Sequence, residues 1–144
     1  APTYVKLNGH DYEVYQNSYK EFEEYMKSIF TNDFLSQDSI EKKFANYNGK
    51  LAVCDDYDLA QIPYFTGYVG EYYPDDFCSV RYYLKNKTEA QVNFVMIAYY
   101  NPNETYEVHD EYSYDDMNKV EYEMQLVKVG YVWRVNKYHS PELG

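Results

Sequence analysis

The segment Gln91-Val-Asn-Phe-Val-Met-Ile-Ala-Tyr-Tyr100 decides the fold class, because its side chains alternate with a period of two. In a β-strand every second side chain points to the same face of the sheet. The face predicted to point inward consists of Val92, Phe94, Met96, Ala98 and Tyr100. The opposite face turns from polar to apolar along the segment, so we expect its end to be covered on both sides.

Other segments with the same period flank this strand. A row at Cys78, Val80, Tyr82 and Leu84 predicts a strand that precedes it, with an inward-facing row. Further strands are predicted at 64–73, 119–129 and 131–136, with a tight turn at Gly130. In the strand at 119–129 we expect Val120 to point inward. Together these segments predict an antiparallel sheet over about residues 50–139.

The N-terminal part of the chain shows a helical spacing instead. Apolar side chains recur every three or four positions. They are Tyr12, Tyr15, Tyr19, Phe22, Met26, Ile29 and Phe30. Asp11 is the predicted N-cap of this amphipathic helix. A shorter helix is predicted around Ile40 and Phe44, ending at Asn48-Gly49, so that helices occupy about residues 11–47.

Helices followed by an antiparallel meander predict an α+β fold, in which an N-terminal amphipathic helix and short helices pack on a curved sheet. The length of 144 residues and mass of 17.3 kDa suit one domain, so residues 1–144 are predicted to form a single domain. An aromatic content of 20% supplies enough apolar area for a folded core.

Three stretches resemble the NTF2-like and cystatin-like superfamily. They are the helical opening from Tyr12 to Phe44, the paired strands at 77–100, and the ending Gln125-Leu-Val-Lys-Val-Gly-Tyr-Val-Trp-Arg-Val-Asn-Lys-Tyr138. The resemblance implies a sheet that wraps around the helix as a cone. Within this group, Asn48-Gly-Lys-Leu-Ala-Val-Cys-Asp-Asp56 resembles secreted bacterial domains that inhibit peptidoglycan-cleaving endopeptidases.

The charge of the chain limits its partners. There are 24 acidic and 13 basic residues, for a net charge of -11. A nucleic acid or an anionic membrane surface would be repelled, so neither is expected as a partner. The longest apolar run, 94–100, is too short to span a bilayer, and we expect no membrane insertion.

Two cysteines, Cys54 and Cys78, are an even number that suits one disulfide bond. Two unrelated buried thiols are the alternative. A chain that starts at Ala1-Pro2 without an initiator Met is either a processed product or a trimmed piece of a longer protein. We favour a removed export signal or anchor, hence a secreted or cell-surface protein. With no CxxC pattern and no histidine close to either cysteine in sequence, we expect no metal site.

Catalytic residues are not evident. His10, His109 and His139 lie outside the inward-facing positions in the middle of the predicted strands, and no inner row contains a carboxylate. Nucleophile and phosphate-binding motifs are lacking, so we expect no catalysis and no cofactor. The alternative follows from the resemblance, since NTF2-like isomerases and dehydratases use a His or Asp inside the cone. That alternative is a small-molecule-binding protein or an enzyme that uses the cone cavity.

Tyrosine is the unusual residue, with 21 copies. In a strand, adjacent tyrosines point to opposite faces, so some rings must be exposed, although tyrosine is also simply common in strands. Exposed tyrosines beside acids favour binding of a basic protein or a cell-wall component. The residues predicted to bind are Tyr72, Tyr73, Tyr112, Tyr114, Asp115 and Asp116. A homodimer formed through the sheet is a further expectation. The predicted function is thus a non-catalytic extracytoplasmic binding module, and its sharper form is an inhibitor of a cell-wall hydrolase.

Overall fold

The computed structural model describes residues 2–57, 59, 77–102 and 114–140. In chain order the elements are β1 (Thr3–Leu7), β2 (His10–Ser18), α1 (Tyr19–Ile29), α2 (Asn32–Leu35), α3 (Asp38–Lys43), β3 (Phe44–Tyr47), β4 (Lys50–Cys54), β5 (Phe77–Lys87), β6 (Gln91–Tyr100), a 3₁₀ turn (Tyr114–Asp116), β7 (Asn118–Val129) and β8 (Val132–Lys137). Two antiparallel sheets have the strand orders β1-β2-β4-β3 and β5-β6-β7-β8. Sheets combined with short helices agree with the predicted α+β class.

The chain divides into two compact units. The first unit contains Ala1–Leu59 and Tyr131–Asn136. The second unit contains Ala60–Gly130 and Lys137–Gly144.

The first unit opens with a β-hairpin where a helix was predicted. Asn8 and Gly9 have positive φ angles of 53° and 83°, and Leu7 pairs with His10 across them. Two successive residues with positive φ form the tight turn whose twist matches that of paired strands. The prediction of a helix that begins at Asp11 is therefore wrong, because this turn commits the following residues to β2.

The helix α1 begins at Tyr19, with Ser18 as its N-cap. The Ser18 hydroxyl accepts a hydrogen bond from the Glu21 amide at 3.3 Å. From this point the predicted spacing holds, and Met26 is buried while the Phe22 ring lies 4.8 Å from that of Phe44. The second half of the predicted helix is thus confirmed and its first half is a strand.

A second two-residue turn, at Asn48 and Gly49, joins β3 to β4. Both residues have positive φ, and Tyr47 pairs with Lys50. Helices were predicted as far as about residue 47, but α3 ends at Lys43 and the chain becomes extended at Phe44. The predicted division between helices at 11–47 and a sheet at 50–139 is therefore wrong, because strands also lie within 3–18 and 44–47.

The core of the first unit is built on β4, in which Leu51, Ala52, Val53 and Cys54 are all buried. Ala52 and Cys54 pack with Tyr12 of β2. A second part of this core lies beside α2, where the Phe30 and Phe34 rings stack at 4.5 Å. These contacts bury aromatic area, which is the main favourable term in folding.

The second unit contains β6 between β5 and β7, and the predicted strand Gln91–Tyr100 is confirmed at both ends. Tyr99 and Tyr100 are both buried, as expected for a strand end covered on both faces. The predicted inward row of β5 is wrong at Tyr82 and Leu84, which are more than half exposed. Val120 of β7 is exposed as well. Alternation identified the shared face of these strands, but it could not show that this face is uncovered at β5.

Two predictions concern other parts of the chain. The strand predicted at 64–73 lies outside the described residues. Among the described residues, no helix is long and apolar enough to cross a membrane.

Candidate functional site

The first candidate site lies on one face of the second unit and is called the Tyr99 cluster, defined as Arg81, Tyr83, Tyr99, Tyr114 and Lys119. Strand register brings four of these residues to that face. Tyr99 of β6 pairs with Ser79 of β5 on one side and with Lys119 of β7 on the other. Arg81 and Tyr83 follow Ser79 at alternate positions, so their side chains share its face.

Tyr114, on the 3₁₀ turn, covers the Tyr99 ring. The two rings meet edge to face with their centroids 4.5 Å apart, and Tyr99 is only 4% exposed. The Arg81 guanidinium lies 4.4 Å from the centre of the Tyr114 ring. Tyr114 nevertheless remains 37% exposed. Its ring is therefore supported on the protein side by an aromatic ring and a cation, while part of it stays open to solvent.

A hydrogen bond joins two hydroxyls within the Tyr99 cluster. The oxygens of Tyr83 and Tyr99 are 3.0 Å apart. This hydrogen bond to Tyr83, helped by burial, raises the pKa of Tyr99 above its ordinary value. Tyr99 is therefore neutral at physiological pH and positions Tyr83 at the edge of the cluster.

The predicted binding residues meet this cluster at the 3₁₀ turn. Tyr114, Asp115 and Asp116 form that turn, and the two aspartates are exposed. The predicted binding residues Tyr72, Tyr73 and Tyr112 lie outside the described residues. Arg81 and Tyr83 were not among the predicted binding residues. Side chains alternate along β5, so Arg81 and Tyr83 point to the face opposite that of Tyr82. This alternation was the signal in the sequence that could have identified them.

The second candidate site lies in the first unit and is called the His10 cluster, defined as His10, Cys54 and Asp56. The pairing of β2 with β4 produces it, because Tyr12 lies opposite Cys54. In an antiparallel pair, stepping two residues back on one strand and two forward on the other keeps the same face. That step leads from Tyr12 to His10 and from Cys54 to Asp56.

Short distances hold the His10 cluster together. His10 Nδ1 lies 2.7 Å from Asp56 Oδ2, and one ligand atom from each of the three residues lies within 4.8 Å of the others. The hydrogen bond that His10 donates lowers the pKa of the Asp56 carboxyl, and a hydrogen bond donated by the Cys54 thiol makes a smaller contribution in the same direction. The Tyr57 ring packs beside the imidazole, 5.6 Å between centroids.

A lysine fixes the segment that carries two members of the His10 cluster. Lys43 Nζ donates to the backbone carbonyls of Cys54, at 3.1 Å, and Tyr57, at 2.6 Å. These two bonds span the turn that contains Asp56. The turn is therefore held from both ends by one ammonium group of α3.

Cysteine, histidine and aspartate are also the residue types of nucleophilic triads. Cys54, however, is 0% exposed, and its side chain packs in the core with Tyr12 and Ala52. A thiol in that position is not accessible to a substrate. The cluster is better suited to holding an ion between the exposed His10 and Asp56 side chains and the Cys54 sulfur, because one ligand atom of each lies within 4.8 Å of the others. No histidine is close to either cysteine in sequence, but the pairing of β2 with β4 brings His10 near Cys54, because β-sheet register joins residues distant in sequence.

Both cysteines are free thiols in the structure. Cys54 is buried in the first unit, and Cys78 is partly buried on β5 of the second. The structure thus does not contain the predicted disulfide bond between them, which stays a prediction from the sequence.

The three helices of the first unit, together with Phe44 of β3, also line an open groove of about 520 Å³. The groove is lined by apolar side chains such as Phe22 and Ile40, and by the charged side chains of Glu23, Lys27 and Glu41. This volume falls within the range of small-molecule sites, roughly 300–1,000 Å³.

Comparison with known proteins supplies no further assignment. No protein-family model matches this chain, and no curated protein matches it either. The resemblance to the NTF2-like and cystatin-like superfamily thus remains a prediction from the sequence.

Proposed function

We propose that this protein is a non-catalytic, extracytoplasmic binding module whose contact surface is centred on Tyr114, Asp115 and Asp116. The single observation that carries this proposal is the support of the Tyr114 ring by Tyr99 and Arg81 while 37% of it stays exposed. A ring held in place before binding loses little conformational freedom when a partner covers it.

The charge around this ring indicates the kind of partner. Asp115 and Asp116 are exposed next to Tyr114, and the chain as a whole has a net charge of -11. A basic protein surface would be attracted by this field, and the attraction would weaken with salt. The rings would supply most of the affinity, because aromatic anchors dominate typical interfaces.

The sharper form of the proposal is an NTF2-like inhibitor of a cell-wall hydrolase, secreted or displayed at the cell surface. Its support is the α+β composition together with the sequence resemblance at 48–56. That stretch runs from the turn at Asn48 through β4 to Asp56. A curved cone belongs to this proposal as well.

The first test replaces Tyr114 by Ala and uses Tyr131→Ala as a matched control, because Tyr131 is 98% exposed. Cleavage of a cell-wall suspension by a purified peptidoglycan endopeptidase is followed with each protein added. We expect the unsubstituted protein and Tyr131→Ala to inhibit equally, and Tyr114→Ala to inhibit at least about tenfold less, the loss typical of an aromatic anchor. Equal inhibition by both variants would place the contact surface elsewhere.

A second test concerns charge. The double variant Asp115→Asn, Asp116→Asn is compared with Glu24→Gln, Asp33→Asn, which removes the same charge from exposed positions of the helices. Association of each with the endopeptidase is measured at low and high salt. We expect slower association and a weaker salt dependence for the first pair only. Tighter binding at high salt would contradict the proposal.

The expected homodimer is a separate question, and sedimentation of the free protein tests it.

A second candidate function is binding of a small molecule, and the groove of about 520 Å³ between the helices of the first unit favours it. The dye ANS, which binds exposed apolar surface, is a suitable probe. Ser36 lines the groove, whereas Ser28 does not belong to its lining. We expect Ser36→Trp to reduce the ANS fluorescence and Ser28→Trp to leave it unchanged. Equal fluorescence in both variants would exclude the groove as the dye site.

A further inference from the structure

We propose that the His10 cluster binds one divalent transition-metal ion of the zinc class through His10, Cys54 and Asp56. The proposal is independent of the binding surface at Tyr114, because it rests on residues of the first unit alone. The sequence did not predict this site, because 43 residues lie between His10 and Cys54.

The distances suit such an ion. Zinc binds sulfur at about 2.3 Å and nitrogen or oxygen at about 2.0–2.2 Å, so two ligand atoms in a tetrahedral site lie about 3.3–3.8 Å apart. The ligand atoms of His10, Cys54 and Asp56 all lie within 4.8 Å of one another. The His10 and Asp56 side chains are 41% and 60% exposed, so small rotations can close the remaining distance without disturbing the core.

The ligand types suit the same class of ion. A thiolate, an imidazole and a carboxylate are the three donors that zinc accepts, whereas calcium and magnesium prefer oxygen alone. Deprotonated Cys54 and Asp56 carry two negative charges, which a divalent cation neutralises. Three protein ligands leave a fourth position for water or for a donor from a partner.

The surroundings hold the ligands close together before an ion arrives. The His10–Asp56 hydrogen bond at 2.7 Å places two ligands side by side, and an ion bound by both His10 Nδ1 and Asp56 Oδ2 would replace the proton between them, which is released to solvent. Lys43 donates to the backbone carbonyls of Cys54 and Tyr57, which fixes both the end of β4 at the third ligand, Cys54, and the turn that carries Asp56. Ligand sites fixed by outer contacts bind metal more tightly, because less ordering accompanies binding.

A bound ion would act as a clip within the first unit. His10 begins β2, just after the Asn8-Gly9 turn, whereas Cys54 ends β4. An ion held by both would join the N-terminal hairpin to the end of β4. Because the ion binds the folded arrangement, it should raise the melting temperature.

The test uses Co²⁺ and Zn²⁺ as probes on the reduced full-length chain. Co²⁺ bound by a thiolate gives a near-ultraviolet charge-transfer band, and calorimetry measures the Zn²⁺ affinity. We expect the band, a 1:1 stoichiometry and a raised melting temperature in Zn²⁺. Loss of an outer-shell partner alone weakens metal binding about 10–100-fold, so His10→Gln and Asp56→Asn should each raise the Kd by at least about 100-fold.

Matched controls are available on the second unit. His139→Gln and Cys78→Ser remove the same residue types from positions outside the cluster, and they should leave the Kd unchanged. Cys54→Ser should abolish the Co²⁺ band. If that variant is unstable, His10→Gln and Asp56→Asn still test the site, because both side chains are exposed and their substitution leaves the core intact. Absence of the band in the unsubstituted protein would overturn the proposal. So would Zn²⁺ stabilisation that survives both His10→Gln and Asp56→Asn.

Discussion

The Tyr12 hydroxyl donates a hydrogen bond to the backbone carbonyl of Lys42, although the two residues are 30 positions apart in the chain. Tyr12 lies on β2 and Lys42 in the last turn of α3, so the bond joins the first sheet to a helix. The Tyr12 side chain is only 3% exposed, and this burial is the main reason that its pKa is raised.

Tyr12→Phe should destabilise the first unit, because it removes the donor and leaves the Lys42 carbonyl without this partner. The expected loss in the free energy of unfolding is about 0.5–1.5 kcal/mol. Urea denaturation measures it, with Tyr131→Phe as the control at a 98% exposed position. Equal stability of the two variants would contradict the importance of this bond.

The start of α1 can be tested at two candidate caps. Ser18→Ala removes the side chain that accepts from the Glu21 amide and should cost about 1 kcal/mol of stability. Asp11→Ala removes the cap that the sequence pattern predicted, and it should cost less, because the exposed ion pair of Asp11 with Lys6, at 3.6 Å, contributes little to stability. Thermal or urea denaturation decides between them. A larger loss for Asp11→Ala would support a helix that begins there.

A third prediction concerns the Asn8-Gly9 turn. Gly9 has a φ of 83°, and a residue with a Cβ atom is strained in that region by roughly 1–2 kcal/mol. Gly9→Ala should therefore lower the free energy of unfolding by about 1 kcal/mol. Gly9→Asn should cost less, since asparagine adopts this conformation more readily. Similar losses for both would show that something other than backbone strain governs the turn.

The pH dependence at alkaline pH follows from the Tyr99 cluster. The Tyr83 hydrogen bond raises the folded pKa of Tyr99 above its ordinary value of 10.0. The resulting stability is complete below the unfolded pKa and is lost as pH rises through the folded pKa. In Tyr83→Phe this contribution should shrink, so its stability should fall less steeply above about pH 10 than that of the unsubstituted protein.

Denaturation at a series of pH values measures this difference, and Tyr131→Phe controls for the loss of one hydroxyl. Tyr12, Tyr15 and Tyr19 also have pKa values raised mainly by burial. Their contributions are common to all three proteins and cancel in the comparison. Identical pH profiles for Tyr83→Phe and the unsubstituted protein would contradict the role of the hydrogen bond.

Long regular segments were predictable from the sequence alone. Ten alternating residues at Gln91–Tyr100 have no competing interpretation, and the strand has the expected bounds. The second half of the first helix was predictable for the same reason, because Tyr19, Phe22 and Met26 keep a consistent helical spacing. In such segments the local pattern and the burial pattern agree, so neighbouring elements do not alter the outcome.

The first half of that helix could not be assigned by spacing. Tyr12 and Tyr15 fit a helical row, but Tyr12 and Val14 fit a strand equally well. The Asn8-Gly9 turn and pairing with β4 decide in favour of the strand, with Tyr12 opposite Cys54. Pairing partners distant in the chain therefore outweighed local periodicity.

The sequence by itself determined the α+β class, the strand at Gln91–Tyr100, the acidic charge and the 3₁₀-turn residues Tyr114, Asp115 and Asp116 as binding candidates. Only the tertiary structure placed Arg81 and Tyr99 beneath Tyr114 and gathered His10, Cys54 and Asp56 into one cluster. The physical reason is strand register. Hydrogen bonds between strands bring together side chains from distant parts of the chain, and which residues lie opposite each other depends on the turns and the shared core rather than on any local pattern.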